Sequence, residues 1–248
     1  MTDIINFKSI EAFKNINESN ISLLRENSKL YKYDFGRPII ENENIPNKIL
    51  YVISGEVRYT LNTDIVSTPF RKLTKDSFIG LSSLIRVKSC ELISASTEVT
   101  AIAIPDKLII KIYTEEKSFK EWCDSNIQIP EAYEIASYIK NKSPKNKLDF
   151  NKIVNKILEV SKINTFENNE IFSKNNNSLD FVSSDNIINL KIGETIVNDQ
   201  KIETRGPFPA RIISIPTIIY KSLIDSSIEK NKEPQIIDSE NIDDKEVI

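Results

Sequence analysis

The chain has 248 residues, of which 40% are hydrophobic and 28% charged, and a formal net charge of -3. That length holds one large domain or two small ones. The slight negative charge excludes a global basic field for neutralising nucleic-acid phosphates. No apolar run approaches the roughly 20 residues of a membrane helix, and Met1-Thr2-Asp3 does not open a signal peptide, so a cytoplasmic protein is expected. There is no histidine and there are two cysteines, Cys90 and Cys123. This rules out Ser-His-Asp and Cys-His nucleophile systems and His-ligated zinc, and leaves too few cysteines for a structural zinc site. Two distant cysteines in such a chain are expected to be free thiols. The excess of Ile, Asn and Lys reads as the signature of an AT-rich genome, not as function.

Residues 8–30 carry a helical but interrupted apolar stripe through Ile10, Phe13, Ile16, Ile21, Leu23 and Leu24. Ser19-Asn20 is the expected cap of a second short helix running to about Lys29. The period changes at Tyr31, where Tyr31, Tyr33 and Phe35 alternate with Lys32 and Asp34 as in a half-buried strand. Further short strands follow: Ile39-Ile40, Lys48–Ile53, Val57–Leu61, Phe70–Leu73, Leu92–Ser96 and Val99–Ile104. Turn signals separate them, including Gly36-Arg37-Pro38, Ser54-Gly55-Glu56 and Asn62-Thr63-Asp64. Regular short strands at this spacing predict an antiparallel roll, barrel or sandwich. A helix is expected to start at Lys107–Ile112.

Residues 115–142 return to helical periodicity. Phe119, Trp122 and Cys123 share one face. After Ile129-Pro130, with proline suited to a first turn, Ala132, Ile135, Ala136 and Ile139 form a stripe. Lys142–Asn146 reads as a linker, Leu148–Ile163 as a helix and Glu167–Ser178 as a loop. A second β-like segment spans Leu179–Pro216 and is too short for a second complete roll. Residues 229–248 have the composition of a disordered acidic tail. The domain expectation is thus 1–142, then 143–228 as a helix plus a small β segment, then the tail. The fold class is mainly β with helices (α+β), an antiparallel double-stranded β-helix or jelly roll flanked by helices.

The most informative stretch is Phe78-Ile79-Gly80-Leu81-Ser82-Ser83-Leu84-Ile85, followed by Ser89-Cys90-Glu91. Glycine at 80 permits positive φ and close backbone approach. Free N–H groups at such a turn suit an anion, and Ser82, Ser83 and Ser89 supply hydroxyls. The plainer reading is a roll corner in which Gly80 only makes the bend.

The order of elements, with Phe35–Ile40, Tyr51–Val57 and Phe78–Ile85 at its glycine turns, resembles the cyclic nucleotide-binding domain family over residues 10–142. In that family a phosphate-binding cassette reads Phe-Gly-Glu, small-Leu-Leu, then Pro-Arg-Ala-Ala; its glutamate holds the ribose and its arginine the phosphate. Here Leu81 stands at the glutamate position, and Cys90, or Glu91 if the loop is one residue longer, at the arginine position. Neither replaces a guanidinium toward phosphate. The departure argues against cyclic AMP binding in the family's usual way, and leaves Arg86 as the nearby cation. The candidate ligand-binding set is Gly80, Leu81, Ser82, Ser83, Arg86, Ser89 and Cys90. No catalytic or metal residues are expected, and no cofactor beyond a nucleotide or other anionic ligand.

No helix-turn-helix with basic, base-reading residues follows the sensor, so no direct DNA binding is expected. The segments Ile79–Leu84, Cys90-Glu91, Ser94–Glu98, Phe181–Ser184 and Gly206–Arg211 also resemble the degenerate sensor-like regions that precede some bacterial peptide-exporting ABC transporters. The resemblances imply a non-enzymatic regulatory or docking module with a protein partner, such a transporter being one candidate. They leave open a homodimer through helix 130–142, a ligand-binding nucleotide sensor, and a transcriptional regulator acting through a partner. Cys90 reads either as a redox-sensitive thiol of lowered pKa or as a small buried hydrophobe.

Overall fold

A computed structural model describes residues 5–41, 43–62, 67–143 and 149–225. The expected N-terminal helix is three shorter pieces: single 3-10 turns at Phe7–Ser9 and Glu11–Phe13, then α1 (Glu18–Asn27). The cap lies at Asn17, not at Ser19-Asn20, because the Asn17 side chain accepts from the Asn20 N–H at 2.8 Å and so satisfies a helix-end donor.

Eight strands follow: β1 (Lys29–Tyr33), β2 (Pro38–Ile40), β3 (Lys48–Ser54), β4 (Val57–Asn62), β5 (Ser67–Leu73), β6 (Phe78–Ile79), β7 (Leu92–Ala95) and β8 (Val99–Pro105). They form two four-stranded antiparallel sheets, ordered β1-β8-β3-β6 and β2-β7-β4-β5. This is the antiparallel roll with flanking helices expected from the sequence. A short helix, α2 (Leu81–Ile85), is set between β6 and β7.

The central strands of the first sheet are covered on both faces, which explains their unbroken apolar runs. Leu50 and Val52 of β3, with Val99, Ala101 and Ala103 of β8, fill the roll interior together with Val57, Tyr59 and Ile93. The alternate residues Ile49, Tyr51, Ile102 and Ile104 face outward, onto Phe13, Ile21, Leu24, Ile109 and Phe119. Each such fully buried side chain contributes about 1.5–3 kcal/mol by leaving water. The outer layer is α1, α3 (Asp106–Glu115) and α4 (Lys117–Ser125). One turn demands its glycine: Gly55 has φ +90°, and a Cβ there would lie 2.2 Å from the Glu98 carbonyl oxygen.

A second core begins at α5 (Ile129–Lys142). Its stripe, Ala132, Ile135, Ala136 and Ile139, packs on Ile153, Val154 and Ile157 of α6 (Phe150–Val160) and on Phe181, Ile213 and Ile215. That apolar face is therefore covered within the chain. The strands here are β9 (Lys162–Phe166), β10 (Ile171–Phe172), β11 (Ser178–Val182), β12 (Thr195–Ile196), β13 (Gln200–Lys201) and β14 (Ala210–Pro216), closed by α7 (Thr217–Asp225). They make one sheet, β12-β11-β14-β9, and a ribbon, β10-β13.

Two local expectations change. The helix expected to reach Ile163 stops at Val160, because residues 162–166 pair antiparallel with β14 over a five-residue ladder from Lys162↔Ser214 to Phe166↔Ala210. The expected loop over 167–178 contains β10, paired with β13. Most of the expected linker and the whole expected tail lie outside the described residues.

Candidate functional site

The turn after β6 is built as the sequence suggests. Gly80 takes φ +87° and α2 starts immediately after it. What fills the turn comes from the chain itself. The Glu91 carboxylate accepts the Gly80 N–H at 3.0 Å on one oxygen, and the Ser83 N–H at 3.0 Å and the Ser83 hydroxyl at 2.8 Å on the other. Glu91 is 2% exposed. Burial raises its pKa, opposed by the donors of Ser83 and Gly80 and by the Arg86 charge. The cradle that would take an external anion is thus occupied by an internal carboxylate.

Arg86 is fully buried and committed elsewhere. Its Nη2 lies 2.6 Å from Glu134 Oε2 on α5, and its Nε donates to the Ser183 carbonyl at 2.9 Å. Its own carbonyl accepts the Asp185 N–H at 2.9 Å. Burial works against its charge, but Cys90, Glu134 and Glu131 more than offset this and raise its pKa. Val87, directly after it, is held at φ +52°, a conformation strained for a β-branched residue.

The other expected residues divide. Leu81 is buried, and the Ser82 hydroxyl donates to Gln128 Oε1 at 3.1 Å. The Ser89 hydroxyl donates instead to the Asn44 carbonyl at 3.0 Å, away from the Glu91 cradle. Cys90 is partly buried, with Sγ 3.5 Å from the Ser83 hydroxyl. Burial pushes its thiol up to about 11, against a lowering by Arg86. The structure thus brings Gly80 and Ser83 together around Glu91, and sends Arg86 and Ser89 to other partners.

Beside this turn lies a cavity of about 250 Å³, lined among others by Tyr59, Asp76, Phe78, Ser82, Trp122 and Gln128. Glu91 also lines it, and among the described residues neither lysine nor arginine does. Sequence reasoning placed neither Glu91 nor Trp122 in the ligand set. Glu91 had a readable signal, since it stands one residue past the arginine position of the resembled cassette. Trp122 had none, because it comes from α4 and reaches the roll only by helix packing.

A second polar centre joins the two cores. Glu131 on α5 is 1% exposed. It accepts from Arg211 Nε at 2.8 Å and from the Ser183 hydroxyl at 2.8 Å. Arg211 also donates to the carbonyls of Cys123 and Asn126, both at 3.2 Å. Burial would raise the Glu131 pKa, but the charge and hydrogen bonds of Arg211, the Arg86 charge and the Gln128 N–H together outweigh it and the net direction is down. Arg86 and Arg211 therefore approach α5 from the roll and from the second sheet, and meet adjacent carboxylates on it. Nothing in this set is disposed as nucleophile and base. Among the described residues no group of three or more His, Cys, Asp or Glu could hold a metal, and no helix is long and apolar enough to cross a membrane.

No family model matches the chain, and no curated protein matches it. Among solved structures it is similar to a cAMP-bound PfPKA-R fragment (141–441), at 13% identity and a TM-score of 0.40, with 90% of this chain and 82% of that one covered. It is also similar to the regulatory domain of Toxoplasma gondii PKA crystallised with cAMP, at 10% identity and 0.42, with 89% and 90% covered. The sensor domain of the transcriptional regulator DNR from Pseudomonas aeruginosa matches at 12% identity and 0.42, with 46% and 82% covered. Likenesses of this strength transfer no residue roles.

Proposed function

We propose that this protein is a non-enzymatic regulatory or docking module, built on a cyclic nucleotide-binding-like roll that does not take cyclic AMP in the usual way. The observation that carries this reading is the Glu91 carboxylate, seated on the Gly80 and Ser83 N–H groups. A phosphate entering there would have to displace a satisfied, buried carboxylate. The nearby Arg86 guanidinium is buried, with Nη2 on Glu134 and Nε on the Ser183 carbonyl and only Nη1 without a hydrogen-bond partner among the described residues. Both terms oppose binding, because charge-assisted contacts are worth about 1.5–3 kcal/mol each.

A protein partner fits the exposed surface. Among the described residues β1 pairs with β8 alone and forms an edge of its sheet. It carries exposed Leu30 and Tyr31, with Phe35 close by in sequence and 72% exposed. An unprotected strand edge with apolar side chains is a template for pairing with another chain. In this proposal the partner suggested by sequence resemblance is a bacterial peptide-exporting ABC transporter.

The test is a thermal-shift titration with cyclic AMP, cyclic GMP and cyclic dinucleotides. A true ligand at 100 times its Kd would stabilise the fold by about 2.7 kcal/mol. The expected result is no selective shift. A selective upward shift would overturn the reading and make the protein a nucleotide sensor.

A further inference from the structure

The C-terminal sheet carries a polar cavity that the roll-based reading does not use. It has a volume of about 410 Å³, within the roughly 300–1,000 Å³ of small-molecule sites. Its floor is one face of three adjacent strands, β11, β14 and β9. Strand alternation sends Leu179, Phe181, Ile213 and Ile215 to the helical side, so Ser178, Asp180 and Ser214 share the opposite face.

On that face the register sets Asp180 directly opposite Ser214. Asp180 is 1% exposed in the middle of the sheet. One of its oxygens accepts from the hydroxyls of Ser214 and Ser178, and the other accepts from Lys174 Nζ. Ser214 Oγ in turn accepts from Asn164 Nδ2 at 2.7 Å. The same face continues as an ordinary apolar core through Val182, Ala210 and Ile212. A sheet that needed only packing would continue that apolar core here, since a buried carboxylate costs several kcal/mol to desolvate. The polar row is a built array opening on a cavity.

The chemistry of the array defines what fits. The Asp180 charge is compensated by Lys174, and besides the exposed Lys162 of the wall the groups facing the cavity are amides and hydroxyls. The Ser178 and Ser214 protons go to Asp180, so those hydroxyls accept, while the amides of Asn164, Asn175 and Asn177 both donate and accept. Phe166 and Phe172, packed edge to face at 5.7 Å, add an apolar wall. Paired donor-acceptor groups beside an aromatic wall match a ligand with hydroxyls along its edge and a C–H face. We propose that this cavity binds a small neutral carbohydrate, a mono- or disaccharide.

The test is ligand-observed NMR on the whole chain with glucose, galactose and maltose, and with glucose 6-phosphate and glucosamine as charged counterparts. A neutral saccharide is expected to bind. Asn164→Ala and, separately, Phe166→Ala are expected to weaken it at least tenfold, with the circular dichroism spectrum unchanged. Glu91→Gln, in the roll, should leave it unaffected, which separates this site from the roll pocket. Absence of binding by all three neutral sugars, or binding of the phosphate or amine form alone, would overturn the proposal. So would saccharide binding that survives both cavity variants.

Discussion

Arg86 and Glu134 form a 2.6 Å ion pair that fastens the short helix of the roll to α5, with the arginine side chain fully buried. The residue that sequence reasoning reserved for an incoming anion is thus a structural tie between the two cores. Glu134 also takes Lys88 at 2.7 Å, so the segment following α2 is held by two cations on one carboxylate.

Removing that tie should be costly. Arg86→Ala leaves Glu134 with Lys88 alone and the Ser183 carbonyl without its donor. Breaking a buried pair costs about 3–5 kcal/mol when the charge left behind is uncompensated; Glu134 keeps Lys88 and is 29% exposed, so the loss falls below that range. Urea unfolding should show a loss of about 1–3 kcal/mol, the cost of unsatisfied buried groups. A loss under about 1 kcal/mol, the worth of a surface pair, would mean that the tie is solvated in solution.

Glu91→Ala should turn the filled cradle into an open one. The Gly80 and Ser83 N–H groups and the Ser83 hydroxyl lose their acceptor, at about 1–3 kcal/mol for unsatisfied buried donors. Inorganic phosphate should then raise the melting temperature of the variant and leave the wild type unchanged. An equal response of both proteins would show that Glu91 does not occupy an anion site.

The Glu131–Arg211 pair sets an acid limit. The folded-state pKa of Glu131 lies below its ordinary value of 4.5, so its contribution is fully present above that value. It is lost as pH falls through the lower folded value. Stability measured from pH 6 downward should therefore fall more steeply in the wild type than in Glu131→Gln. The variant should be less stable than the wild type at neutral pH, because buried Arg211 loses its closer carboxylate and keeps only Asp124, at 3.7 Å. Parallel acid limbs would remove this assignment.

Cys90 should be a sluggish thiol. Burial pushes its pKa up to about 11, and the thiolate is the reactive form. Alkylation at pH 7.5 should run well over tenfold slower than for a free cysteine, and should accelerate on unfolding. Fast labelling of the native protein would restore the redox-sensor reading.

The local features were legible because they rest on short-range rules. Gly55 and Gly80 mark turns that need positive φ, and Ile129-Pro130 marks the start of α5. Alternation and turn spacing were enough for the two-sheet roll. The cap of α1 was misplaced within a short-range rule, since Asn17 accepts from the Asn20 N–H; the misplaced strands fell where long-range pairing outweighs local periodicity. Residues 161–163 continue the helical pattern of α6, yet the ladder between β9 and β14 pulls residues 162–166 into a strand.

By itself, then, the sequence determined the β-roll class, the absence of histidine chemistry, and a glycine turn lacking the expected arginine. Only the tertiary structure decided what occupies that turn and where the charges go. Glu91 reaches back to Gly80, Arg86 crosses to Ser183, and Arg211 crosses to Glu131 over 11, 97 and 80 residues. The physical reason is that a charged side chain must find a partner once folding removes it from water. Which partner it finds depends on the elements brought beside it, and local pattern carries no record of them.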